Sequence, residues 1–101
     1  MGNRLDLHKT LIDIMGSKNV YFQPPETIKM RYPAIVYSLA TIKKLPADDL
    51  SYLKYRAYTL ILIDPDPDSE FVDKILELPM CTFDRAYAAD NLSHWAFTLF
   101  Y

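Results

Sequence analysis

The sequence predicts an α+β fold: a single domain over residues 1–101, with a mostly antiparallel sheet of four to five strands and two helices packed on one face. Three observations lead there. Two stretches, from Leu5 to Met15 and from Phe71 to Leu78, repeat apolar residues at helical spacing. Five others are rich in β-branched and aromatic residues, as strands are. The last two of those are close enough to form a hairpin whose final strand has one strongly apolar face. Each helix has one apolar stripe and the sheet one apolar face, so a single layer of helices on an antiparallel sheet buries them all.

In the first helix, Leu5, His8, Leu11, Ile12 and Met15 fall on one face, and Gly16 stands where a helix commonly stops. Asn3 and Asp6 are both suitable caps for its start. Val20-Tyr21-Phe22 has strand composition and is cut off by Pro24 and Pro25, which lack backbone donors, so a short edge strand is expected. An irregular connection over residues 26–33 ends at Pro33. Ala34 to Leu39 is then apolar on nearly both faces, the pattern of a central strand covered on both sides.

Thr41 to Ser51 mixes Lys43, Lys44, Pro46, Asp48 and Asp49 and reads as an exposed loop with room for one helical turn. Tyr52 to Ile63 is the longest expected strand, starting at a solvent-facing edge and running inward beneath a helix. Asp66 is placed to cap the second helix, with Pro67 at its first position and Asp68 and Glu70 near its positive end. That helix is expected to run to about Leu78, with Phe71, Val72, Ile75, Leu76 and Leu78 as its stripe, and to stop at Pro79. Cys81–Tyr87 and Leu92–Tyr101 form the hairpin, turning through Ala88-Ala89-Asp90-Asn91. Trp95, Phe97, Leu99 and Tyr101 share the face expected to enter the core, with Trp95 its anchor, and His94 lies on the outer face.

Composition narrows the function. Half of the 101 residues are hydrophobic and 24% are charged, which is ordinary for a globular domain. The formal net charge of −2 argues against a general binder of the phosphate backbone. The single cysteine, Cys81, has no partner for an internal disulfide, which suits a reducing compartment such as the cytoplasm. The N-terminal residues lack the continuous apolar core of a signal peptide, and Tyr58–Ile63, the longest strongly apolar run, is too short for a membrane helix.

No catalytic, cofactor-binding or metal-binding constellation emerges. Asp64, Asp66 and Asp68 have the one-three-five spacing of a calcium loop, but Ser69 stands where glycine is needed and Ile75 where the final Glu belongs. Helix capping is the simpler role for them. His8 and His94 lack a partner at metal-ligand spacing, and Cys81 has no basic neighbour in sequence to lower its pKa, so structural roles are expected for all three. Only two glycines, Gly2 and Gly16, are present, too few for a phosphate-cradling loop. The tyrosine-rich strand, with Tyr52, Tyr55 and Tyr58 beside Lys54 and Arg56, reads as a protein interface or partial core rather than a nucleic-acid platform, given the acidic balance of the chain.

The element order resembles that of the small tail-completion proteins of long-tailed bacteriophages, the tail terminator and head–tail joining proteins. The residues that carry the likeness are an N-terminal helix followed by Val20-Tyr21-Phe22-Gln23-Pro24-Pro25, a Tyr32-Pro33 step leading into Ala34-Ile35-Val36-Tyr37, and a long strand leading into a helix with an acidic start. The resemblance implies a non-enzymatic structural protein without cofactors, forming a homo-oligomeric ring, a hexamer in such families, between tail tube and head. Its partners are then copies of itself, the tail tube protein and the head–tail connector proteins, with no sequence-specific nucleic acid and no membrane. Its place is the virion, after assembly in the host cytoplasm. Within such a ring Tyr52, Lys54, Arg56 and Tyr58 are the candidate oligomer interface, and Asp64, Asp66, Asp68 and Glu70 the candidate channel-facing acids. The alternatives are another connector component or a small non-enzymatic phage module that binds a host protein.

Overall fold

The computed structural model describes residues 4–25, 27–46 and 52–101. Helix α1 spans Arg4–Met15 and is followed by strands β1 (Val20–Phe22), β2 (Ala34–Pro46) and β3 (Tyr52–Asp64). Helix α2 (Phe71–Leu76) leads into strands β4 (Cys81–Ala89) and β5 (Leu92–Phe100). The five strands form one sheet in the order β1-β2-β3-β5-β4. Only β1 and β2 are parallel; the other three pairings are antiparallel. The α+β expectation therefore holds, and β5, last in the chain, is an interior strand with β4 outside it.

Register defines the two faces. Ile35 pairs with Leu62 and Tyr37 with Leu60, while Leu60 pairs with Phe97 and Leu62 with Trp95. These side chains stand on one face because strand residues alternate. They join Leu7, Leu11 and Met15 of α1 and Ile75 of α2 in one hydrophobic core, so both helices cover the same side of the sheet. Phe97 and Leu99 are fully buried there, whereas Trp95 and Tyr101 are only partly buried. The expectation that Trp95 anchors the core is corrected in favour of Phe97, which stands at the middle of the helix-covered face.

The first helix buries Leu7, Leu11 and Met15, and Leu5 is 61% exposed. The four-residue spacing of Leu7, Leu11 and Met15 keeps them in line along the helix, and this row faces the sheet in place of the one beginning at Leu5. Gly16 ends the helix at φ +68°, a left-handed conformation that costs glycine no steric penalty, and its amide donates to the Ile12 carbonyl at 2.9 Å.

The second helix is shorter than its sequence predicts. Asp66 does not cap it: residue 70 precedes the first helical residue, and its side chain makes no capping bond. Instead the Asp64 and Asp66 carboxylates each accept from the amide two residues on, Asp66 N and Asp68 N, both at 2.9 Å, and Ser69 Oγ accepts from Phe71 N at 3.3 Å. These side-chain turns fold the acidic stretch over itself and delay the helix, since the carboxylates satisfy amides in a non-helical conformation. Pro65 and Pro67 supply no amide of their own. At the other end Leu78 N bonds to Ile75 O, the chain then meets Pro79, and Leu76 is exposed, outside the apolar stripe.

The largest departure concerns Thr41 to Ser51. Residues 41–46 are not a loop but continue β2, pairing with β3 from Thr41↔Ala57 out to Pro46↔Tyr52. A bulge between Leu39 and Thr41 separates this outer ladder from the inner one. The polar composition that reads as a loop is that of a strand without a core beneath it. Residues 47–51, the remainder of the expected loop, lie outside the described residues.

Candidate interaction surfaces

The most distinctive feature is the outer part of the β2–β3 hairpin. β1 covers β2 only from Ile35 to Tyr37, and β5 leaves β3 after the Ala57↔Phe100 pair. Beyond those points the ladder pairs residues 41–46 with 52–57, forming a two-stranded arm that stays tied to the C-terminal end of the chain at its root through Tyr101 N and the Arg56 carbonyl. The molecule measures 52 × 26 × 22 Å, and its radius of gyration of 14.6 Å exceeds the ~13 Å typical of a compact chain this long. A two-stranded ribbon is marginal by itself in water, because neither face has a core to bury against. Ile42 on this arm is 51% exposed, and Leu39 at its base is exposed as well.

The four proposed interface residues separate. Tyr52 and Lys54 belong to the arm by register, opposite Pro46 and Lys44, and their side chains lie outside the described residues. Arg56 is exposed at the arm's root, opposite Ile42, and its carbonyl accepts from Tyr101 N at 2.9 Å. Tyr58 is 3% exposed and belongs to the core, with its ring 6.0 Å from that of Tyr37. As a contact for a neighbouring subunit Tyr58 is corrected to a core residue: the strand passes under α1 at that point, and alternation turns the residue inward.

The four acidic residues separate too. Asp64 is 7% exposed and holds the turn through Asp66 N, so it does not present its carboxylate to a channel. Asp66, Asp68 and Glu70 are exposed. Among the described residues no group of three or more His, Cys, Asp or Glu is arranged to hold a metal ion.

Sequence reasoning missed a polar cluster around Tyr37. This tyrosine is fully buried by residue, yet its hydroxyl lies 2.7 Å from His8 Nδ1 and 3.4 Å from Arg4 Nη1. Arg4 donates to the phenol oxygen, and the Tyr37 hydroxyl shares a hydrogen bond with His8 Nδ1 whose direction follows the imidazole tautomer. The Arg4 guanidinium also lies over the Phe22 ring, 4.4 Å from its centroid. Burial, reinforced by the Arg4 charge, lowers the His8 pKa below its ordinary value, and burial raises that of Tyr37. The three groups fasten α1 to β1 and β2. The signal was present in the four-residue spacing of Arg4 and His8, but only the fold brings Tyr37 to them.

The open face of the sheet carries His94, which stacks on Tyr87 at 4.8 Å with ring planes 15° apart, while Arg85 lies over the other ring at 5.3 Å. These flat groups occupy one another's faces, so they do not form a bare stacking platform. Cys81 is half-buried, and burial together with the nearby Asp84 charge raises its thiol pKa, the environment of an unreactive cysteine. Among the described residues no helix is long and apolar enough to cross a membrane. Set against known protein families and characterised proteins, the sequence matches none.

Proposed function

We propose that this chain is a structural virion protein, a ring-forming subunit at the head-proximal end of a phage tail tube that ends tail assembly and joins the tail to the head. The observation that carries the reading is the hairpin arm: a paired ribbon projecting beyond its own sheet, with exposed Ile42, is suited to rest on another subunit. The element order that resembles tail-completion proteins supplies the context. The ring is a homo-oligomer, a hexamer on that resemblance, and its partners are the tail tube and the connector. Its role is non-enzymatic, and its place is the head–tail junction after assembly in the host cytoplasm. Lys54 and Arg56, with Tyr52, serve the subunit contact, and the exposed Asp66, Asp68 and Glu70 are the acids available to face a channel through which DNA passes without being gripped.

Deleting the gene and measuring tails by electron microscopy tests the proposal. The expected result is overlong tails or tails detached from filled heads. Tails of normal length on filled heads overturn it.

A further inference from the structure

Among the described residues the sheet ends in a long edge, β4, with no strand outside it. Residues 82–89 are all exposed. The opposite edge, β1, has three residues and is followed by Pro24 and Pro25, whereas β4 has nine and contains neither Pro nor Lys. An edge of that length presents a row of unpaired backbone groups on which a further strand can pair.

Register fixes which of those groups face outward. The Ala89↔Leu92 pair closes the two-residue turn, so Ala89, Tyr87 and Arg85 exchange hydrogen bonds with β5, and Ala88 and Ala86 turn theirs away from it. Asp84 is the extra residue of a bulge between Phe83 and Arg85, and it shifts the alternation by one. Phe83 and Cys81, opposite Phe97 and Leu99, therefore face outward as well. The bond from Phe100 N to the Met80 carbonyl, at 3.2 Å, agrees with this alternation. The side chains of Cys81, Phe83, Ala86 and Ala88 stand on the same side of the sheet as Phe97 and the helices. Asp84 and Arg85 stand on the open face, where the Asp84 carboxylate accepts from Thr98 Oγ1 at 2.6 Å and the Arg85 guanidinium lies over Tyr87.

We infer that β4 is a self-recognition edge, on which β4 of a second copy pairs antiparallel about a two-fold axis at the Asp84–Arg85 step. The register that brings all four outward residues together sets Cys81 against Ala88 and Phe83 against Ala86 of the other copy, with Asp84 against Arg85. A bulge and charged residues commonly keep an edge from pairing. Here the two bulges stand opposite each other, and an acidic and a basic side chain meet at both central rungs, which is the favourable arrangement across a ladder. On the other face Phe83, 46% exposed, comes beside Ala86 of the second copy. That small side chain lets the ring reach Trp95, the register partner of Ala86, which is only partly buried in one chain. The charges select the occupant: a second copy supplies both opposite-charge rungs from the same two residues. Such a contact is isologous, so it closes at two copies and joins two five-stranded sheets into one. It goes beyond the ring reading and does not rest on it, since β5 separates β4 from the strands of the arm.

The test uses the full chain as wild type, as Asp84→Arg, as Arg85→Asp and as the exchange that combines both. Circular dichroism melts check that each form is folded. Sedimentation velocity follows association, and the emission of Trp95, the single tryptophan, reports whether its ring is covered. The wild type forms dimers, and its emission moves to shorter wavelength as they form. Asp84→Arg puts arginine against arginine at both central rungs and Arg85→Asp puts aspartate against aspartate, so each weakens dimerisation by about tenfold. An equimolar mixture of the two recovers it, because every central rung then carries opposite charges, and the exchanged form recovers it alone. If a single reversal does not fold, Ala86→Pro takes its place and gives the same loss, since it removes an outward amide that β5 does not use. A wild type still monomeric at about 100 μM overturns the inference. So do dimers that neither reversal nor Ala86→Pro weakens, a mixture that recovers nothing, or Trp95 emission that is the same in monomer and dimer.

Discussion

At the scale of single residues, the core is held by a few fully buried side chains and by one buried polar cluster. Phe97 lies on an interior strand beneath the helix layer and is fully buried. Phe97→Ala is therefore expected to cost about 3–5 kcal/mol in a urea-unfolding measurement, and Trp95→Ala, removing a partly buried ring, distinctly less. Equal losses for the two contradict the assignment of the anchor. His8 gives a dependence on pH. Its folded pKa lies below its ordinary value, so the unfolded chain takes up the proton first as pH falls. The contribution of neutral His8 is fully present above about pH 6.5 and is lost as pH falls below that, through the lowered folded pKa. Unfolding midpoints measured from pH 7.5 to about pH 5 should decline more steeply for the wild type than for His8→Gln. Parallel profiles remove His8 from the account.

The elements show what a sequence can and cannot disclose. The C-terminal hairpin was legible because alternation over Leu92 to Tyr101 is a local property, and Asp90 and Asn91 adopt positive φ of 52° and 62° at the two-residue turn. These are the backbone signs of a type I′ turn, where glycine at the second position is favoured over asparagine. Asn91→Gly should leave the melting temperature unchanged or raise it slightly, whereas Asn91→Val, forced into a left-handed conformation, should cost about 1–2 kcal/mol. The second helix was legible in its stripe but not in its start. Asp66 has the identity of a cap, and only the three-dimensional turn shows that its carboxylate already accepts from Asp68 N. Asp66→Ala is expected to destabilise the chain by about 0.5–2 kcal/mol through that turn, in thermal unfolding followed by circular dichroism. The arm was illegible for a related reason. Hydrophobic periodicity marks strands that lie on a core, and Thr41 to Pro46 pair in the ladder without such a period in their sequence.

For the whole molecule, the architecture follows from burial: two amphipathic helices and one apolar sheet face enclose a single core, and the surplus length of β2 and β3 projects from it. The α+β fold was readable because each of its stripes is local in sequence. The candidate surface was readable only in part, since Tyr58 and Lys54 look alike as members of one tyrosine-rich strand until register places the first beneath α1 and the second on the arm. The central proposal is that copies of this chain complete one another at the junction of tail and head. Electron cryomicroscopy of the head–tail junction in assembled particles tests that claim most directly. The account predicts a closed ring of this chain at the end of the tail tube, each arm lying on its neighbour, and a junction built wholly from other proteins contradicts it.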